Sequence, residues 1–277
     1  MTGADGSDPV ATSIADYALV RRLERANNGE FHLARAPQRL GLEAEHVMVK
    51  VLDSGTPEET FRRATRELRA FAAVESPYLV ALYDAGQEGH RLFYSMEYLP
   101  LGSLADPQVE LDTGRIVRAV ACAARAAHAL HEHGIAHRDI QPVNVLLTED
   151  GGKLADLGLA QVFVPDYTVT GFGNIGAVEY MDPIVVEGAP SSRASDIWAL
   201  GTTLHRTIVG VGVYGALPPD NPLAAIRKVL SSQPEISADL TPAVREVVET
   251  CLQPDPLDRY ATAEEAADAL DRCAAEL

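Results

Sequence analysis

Asp139 and Asn144 stand five positions apart in His137-Arg138-Asp139-Ile140-Gln141-Pro142-Val143-Asn144, directly before the apolar run Val145-Leu146-Leu147. A second carboxylate, Asp156, follows in Ala155-Asp156-Leu157-Gly158, after a turn signal at Asp150-Gly151-Gly152. Carboxylate and amide oxygens are the ligands that Mg²⁺ prefers, and a spare carboxylate near a hydroxyl can accept its proton. Strand ends that present these side chains to one cleft would suit Mg²⁺ together with a base near a hydroxyl. Any one of these pieces alone is more often just a turn or a helix end. The weight therefore rests on the whole set in order.

The elements that must carry them are legible in the hydrophobic pattern. Residues 1–14 read as a flexible leader, because Gly3, Gly6, Asp8 and Pro9 cluster there without apolar periodicity. Strand composition marks His46–Leu52, Leu79–Tyr83 and Arg91–Tyr98. Between the first two, Phe61, Ala64, Leu68 and Phe71 recur at spacings of three and four, which predicts an amphipathic helix over Pro57–Val74. After Leu99-Pro100-Leu101-Gly102 helices take over, at Ile116–His133, Ser195–Val209, Ala224–Leu230, Pro242–Cys251 and Ala263–Leu277. A strand-rich front and a helix-rich back make an α+β chain of two lobes, residues 15–98 and 99–277.

With these residues in hand, the chain resembles the eukaryotic-like (Hanks-type) bacterial serine/threonine protein kinases, whose H-R-D-x-x-x-x-N and D-F-G motifs match in order and spacing. Lys50 closing a V-M-V-K strand, Glu67 on the following helix, Ser195-Asp196-Ile197-Trp198-Ala199-Leu200-Gly201 and Asp255-Pro256-Leu257-Asp258-Arg259-Tyr260 extend the match over roughly Tyr17 to Leu277. The resemblance implies a bilobal protein-kinase fold with a β-rich N-lobe, a helical C-lobe and ATP between them. It implies that Lys50, held by Glu67, grips the α and β phosphates of ATP, that Asn144 and Asp156 carry Mg²⁺, and that Asp139 accepts the hydroxyl proton. It further implies that Arg138 reaches a phosphate on the activation loop, where Tyr167, Thr168 and Thr170 stand, and that His137 is a packing residue. Met96 falls at the gatekeeper position. Glu97 and Leu99 would meet the adenine edge with their backbone, and Leu146 would form the floor beneath the ring.

The sequence departs from that pattern in several places. Where a glycine-rich loop is expected it reads Glu24-Arg25-Ala26-Asn27-Asn28-Gly29, keeping only the last of three glycines. Side chains there hinder the close backbone approach by which amides cradle phosphates. Phe31 stands where the family usually has Val and Met48 where it usually has Ala, so the pocket ceiling is bulkier. Gln141 replaces a Lys that neutralises charge at the γ-phosphate, and Ala177 replaces the Thr that bonds that Lys and the base. The family's Ala-Pro-Glu appears as Asp182-Pro183-Ile184, which leaves Arg259 to find another acid, Asp182 or Glu187. Two functions stay open: an active ATP-dependent kinase acting on Ser/Thr of a protein, and a pseudokinase that serves as a binding or regulatory module. A small-molecule kinase on the same fold is a distant third.

Composition narrows the partners. The 277 residues carry 23 basic and 40 acidic side chains, a formal net charge of −17, which argues against nucleic acid and against a polybasic membrane anchor. Cys122, Cys251 and Cys273 show no paired spacing, and Cys122 and Cys251, set in apolar runs, read as small buried hydrophobes of a reducing compartment. No basic-then-apolar signal opens the chain and no uninterrupted apolar run reaches membrane-spanning length. A cytoplasmic location is expected, with a protein substrate or regulatory protein as partner and any signal arriving through another chain. His128, His131 and His133 read as solvated helix histidines and not as a metal cluster.

Overall fold

The computed structural model describes residues 13–26, 29–52, 65–66, 68–89, 91–156 and 175–277, which divide into two compact units. In the first, residues 1–61 and 81–98, an antiparallel six-stranded sheet has the order β1-β2-β3-β4-β6-β5. Its strands are β1 (Ser13–Ile14), β2 (Tyr17–Ala26), β3 (Gly29–Arg35), β4 (His46–Leu52), β5 (Leu82–Glu88) and β6 (Arg91–Glu97). Alternation sorts β4 into Val47, Val49 and Val51 on one face and Met48, Lys50 and Leu52 on the other. The valine face packs with Ile14, Tyr17, Ala34 and Phe93 into a buried cluster.

That cluster corrects the expectation that the leader runs to residue 14. Ser13 and Ile14 pair with Ala18 and Tyr17, and Ile14 is fully buried. A polar clamp holds the turn. Arg39 donates to Asp16 at 2.7 and 3.0 Å and to Asp84 at 2.5 Å. The buried Tyr17 hydroxyl donates to Asp84 at 2.9 Å and lies 2.8 Å from Ser95 Oγ, so burying its polar end leaves nothing unsatisfied.

The second unit comprises residues 62–80 and 99–277. Among its described residues after 99, the helices are α1 (Thr113–Glu132), α2 (Ile175–Val178), α3 (Pro183–Val186), α4 (Arg193–Val209), α5 (Pro222–Ser231), α6 (Pro242–Cys251) and α7 (Ala263–Glu276). Helix α1 starts at Asp112, whose carboxylate accepts the Arg115 N–H at 2.6 Å. It buries Val117, Val120, Ala124, Ala127 and Leu130 against α7, α4 and the hairpin of β7 (Val145–Leu147) with β8 (Gly152–Leu154). Small residues on this stripe let three neighbours approach one helix closely. Helix α4 opens with a reciprocal cap between Ser192 and Ser195 and ends at Gly210, whose φ of 78° suits a left-handed stop.

The expected strand at Leu79–Tyr83 lies later, at Leu82–Glu88. The preceding residues serve the second unit: Leu154 N–H donates to Tyr78 O at 2.8 Å and Val80 N–H to Leu154 O at 3.0 Å. These bonds explain why 62–80 groups with the helical unit although it interrupts the sheet strands in sequence. Of the helix expected over Pro57–Val74, residues 65–66 and 68–72 are helical, and 53–64 lie outside the described residues. Among the described residues no helix is long and apolar enough to cross a membrane.

Candidate active site

The loop from His137 to Asn144 is held from below by α4. Asp196, buried in its first turn, accepts the N–H groups of His137 at 2.7 Å and Arg138 at 2.9 Å. His131 Nε2 donates to the same carboxylate at 2.7 Å, so this histidine is a buried brace and not the solvated residue expected from its helix. Only the tertiary fold could show this, because Asp196 is remote in sequence. Arg138 takes a φ of 72°, a conformation rare for a side-chain-bearing residue, and the bonds of Asp196 to its N–H and to that of His137 hold the backbone there.

His137 is fully buried, as its packing role requires, and it also fixes the loop. Burial pushes its imidazole below the ordinary histidine range, so the ring stays neutral. Nε2 faces Ala155 O at 3.1 Å and must donate, which leaves Nδ1 to accept the Asp139 N–H at 3.4 Å. One tautomer satisfies both contacts.

Both oxygens of the Asp139 carboxylate are taken by amides. Gln141 Nε2 donates to Oδ1 at 2.6 Å, and Asn144 Nδ2 donates to Oδ2 at 2.9 Å and to the Asp139 backbone carbonyl at 2.8 Å. Donors on both oxygens fix the plane of the carboxylate without adding positive charge. Asn144 spends its NH₂ on Asp139, and its amide carbonyl remains an acceptor suited to a hard cation. Pro142 opens a single tight turn over Pro142–Asn144, and the Asn144 N–H closes on Gln141 O at 2.9 Å.

Hairpin β7–β8 carries this set to Asp156. The Ala155 N–H donates to Asn144 O at 2.8 Å, so Asp156 follows directly on a residue tied to the loop. Asp156 takes a φ of 55° and is half-buried. The oxygen donors Asn144 and Asp156 fit the coordination habits of Mg²⁺, which binds through one or two protein oxygens and fills its remaining positions with water and phosphate. Leu146, at the centre of β7, is half-buried, and Ser103 bridges to it from the segment after Leu99. Ala177 borders a small cavity with Asp139, Tyr180, Met181 and Ser195.

In the sheet unit, Lys50 is buried on the face opposite the valine cluster. Its ammonium lies 4.6 Å from the centroid of Phe31 and 5.8 Å from that of Tyr94. Met48 pairs with Met96 across β4 and β6, and Met96 is buried. Glu97 ends β6 and is half-buried, its backbone N–H donating to Ala81 O at 2.9 Å. Gly29 survives for a reason of its own. Its φ is 149°, and a Cβ there would collide with the Val51 carbonyl of the neighbouring strand. Tyr94 was missed in the sequence. Period-two alternation with Met96 puts it on the Lys50 face, but only the strand pairing makes the two neighbours.

Arg259 does find another acid. It donates to Asp182 through Nη1 at 2.5 Å and Nη2 at 3.3 Å, with both side chains buried. Its remaining donors reach Gln253 O at 2.8 Å, Ala194 O at 2.9 Å and Pro254 O at 3.5 Å, and its guanidinium lies 4.9 Å from the Trp198 centroid. All five N–H groups are therefore used. Asp182 also caps α3 by accepting the Ile184 N–H at 3.1 Å, whereas Glu187 is exposed at the other end of that helix. Glu67, Asn27, Asn28, Leu157, Tyr167, Thr168 and Thr170 lie outside the described residues, as does the Glu24 side chain.

Comparison with known proteins agrees with this geometry. The protein kinase domain family matches residues 39–270. A probable serine/threonine-protein kinase of Clostridium acetobutylicum is 29% identical over 81% of this chain and 35% of its own length. Serine/threonine-protein kinase PknL of Mycobacterium tuberculosis is 28% identical over 95% of this chain and 67% of its own. The crystal structure of a point mutant of the Mycobacterium tuberculosis PknI kinase domain superposes with a TM-score of 0.66 at 26% identity, covering 98% of this chain and 99% of that one. The chain thus spans about a third of the length of the Clostridium kinase and two thirds of that of PknL. With a β-sheet unit bearing Lys50, a helical unit bearing Asp139, Asn144 and Asp156, and the family match across both, the chain belongs to the protein kinase domain family, in its bacterial Hanks-type serine/threonine branch.

Proposed function

We propose that this chain transfers the γ-phosphoryl group of ATP to a serine or threonine hydroxyl of a protein substrate. The family uses ATP and Mg²⁺ and acts on proteins. The observation that carries the reading is the Asp139 carboxylate, held in one plane by Gln141 and Asn144. In this reading Asp139 takes the proton of the attacking hydroxyl at a carboxylate oxygen, and Lys50, paired with Glu67, holds the α and β phosphates. Asn144 and Asp156 hold Mg²⁺, which neutralises phosphate charge when bound. Phe31, Met48, Met96, Leu146 and the backbone of Glu97 and Leu99 receive the adenine, and Gly29 closes the glycine-poor loop. Gln141 orients the base without supplying the positive charge that a lysine would bring, so turnover is slow. The free thiols of Cys122, Cys251 and Cys273 support a cytoplasmic location.

A second reading, a pseudokinase that binds a regulatory partner with weak or no catalysis, draws on the loss of two loop glycines and on Gly29, where a Cβ would collide with the neighbouring strand at Val51 and Leu52. The degenerate loop and Gln141 weigh on that side. The retained Lys50, Asp139, Asn144 and Asp156 weigh on the other.

Titration with ATP and ADP, with and without Mg²⁺, separates the two. The kinase reading expects Mg²⁺-dependent binding that raises the melting temperature by mass action. It also expects a mass increase of one phosphate on a serine- or threonine-bearing test protein. Binding without transfer supports the pseudokinase, and no thermal shift at millimolar nucleotide removes the ATP site altogether.

A further inference from the structure

Strands β3, β4 and β6 lie side by side, with Phe31 opposite Lys50 and Lys50 opposite Tyr94 in register. Directly opposed side chains share a face of the sheet, so the three form a row of ring, ammonium and ring. The ammonium lies 4.6 Å from one centroid and 5.8 Å from the other, and Lys50 is only 6% exposed. A buried ammonium has lost most of its hydration and must be compensated, and the electron-rich faces of aromatic rings contribute to that. Tyr94 is buried and its ring cannot swing away, while Phe31 is half-buried on the strand that follows the glycine-poor loop.

Resting on the kinase reading above, we propose that Phe31 and Tyr94 are positioning residues for Lys50, bracketing its ammonium so that the phosphate-gripping charge is held in place by the sheet. A loop stripped of two glycines offers few backbone amides to phosphate, so more of the grip falls on this single charge. Phe31 then does more than narrow an adenine pocket. A valine in its place would leave one side of the ammonium without a π face, and Lys50 would sample other rotamers.

A series in which Phe31 is replaced by mono-, di- and trifluorophenylalanine separates this from packing, because fluorine withdraws π density while nearly preserving ring shape. In the nucleotide-free protein, acetylation of Lys50 by acetic anhydride, read by peptide mass mapping, should rise stepwise. Affinity for MgATP should fall in parallel, each by about two- to fivefold across the series. Phe31→Leu should resemble the trifluoro variant, and Phe31→Tyr the parent. A flat series in both measurements means that the ring only fills space and overturns the proposal. Affinity that rises with fluorination overturns it too, because the rings would then compete with phosphate. A parent that binds no MgATP defeats the kinase reading, and the acetylation series still decides whether the rings hold Lys50.

Discussion

Asp139 sits between two amide donors, and the consequences of changing each neighbour follow from that geometry. Asp139→Asn removes the proton acceptor but none of the proposed phosphate or metal ligands. Phosphate transfer should fall by about 10²-fold or more while MgATP affinity stays near the parent value, measured by steady-state kinetics beside calorimetric titration. Gln141→Ala frees one carboxylate oxygen and should lower kcat about tenfold, the worth of one hydrogen bond to a charged group. Gln141→Lys keeps a donor 2 residues from the base and adds charge where the γ-phosphate is expected, so kcat should rise. A fall would show that the neutral amide is required. Arg259 poses a different question, because its guanidinium is already saturated by Asp182 and three carbonyls. Arg259→Ala should cost about 3 kcal/mol or more in denaturant unfolding, since it strands a buried carboxylate. Ile184→Glu should fail to raise the melting temperature, because the partner it would restore has been replaced.

Among the helices, α1 and α7 are tied by a single cation. Arg125 reaches Glu264 at 3.4 Å, Asp268 at 3.2 Å and Asp271 at 2.8 Å, all on one face of α7, and its guanidinium lies 5.9 Å from the Tyr78 ring. Without it three carboxylates along one helix face repel each other. The acids are half exposed, so Arg125→Ala should cost only about 1 kcal/mol at low salt, and the loss should shrink in ~1 M salt. A loss that ignores salt would assign the effect to packing of the arginine stem. The sheet unit is closed differently, by Arg39 joining the β1–β2 turn to β5 through Asp16 and Asp84. Arg39 holds the Asp16 carboxyl below its usual range, although this pair stands in water and is worth little by itself. Its service is to seat Ile14 and Tyr17 on the valine face.

For the whole molecule, stability should depend on pH at both ends. Burial depresses the imidazoles of His137 and His205 below the ordinary value of 6.5, so the unfolded chain takes up protons first as acid is added. Their contribution is present above pH 6.5 and is lost as pH falls below it. Burial lifts Tyr17 and Tyr260 from 10.0 to about 12 and the Cys251 thiol from 9.0 to about 12. These groups favour the fold below their unfolded values, and that advantage drains away as pH climbs to about 12. Urea midpoints against pH should therefore form a plateau from near 6.5 to 9, falling on either side. A midpoint that keeps rising past 10 would contradict the raised titration of these three groups.

The order and spacing of Lys50, Asp139, Asn144 and Asp156, together with the change from strand to helix near residue 98, were legible because each depends on local pattern. Turn residues and periodicity fix an element through neighbours a few positions away, so helix α6 was read at its observed ends and β4 likewise. What lay beyond the sequence was partner choice across long separations. Asp182 and Glu187 were equal candidates for Arg259 until the fold buried one and exposed the other. His131 looked like a surface residue until α4 brought Asp196 beneath it. Ile14 looked like part of a leader until the β1–β2 turn laid it on the valine face, and Tyr94 was one more strand residue until pairing set it beside Lys50. Local pattern determines which face of an element is apolar, but the desolvation of a charge and the partner that compensates it depend on which elements meet, and that is decided only when the tertiary structure closes.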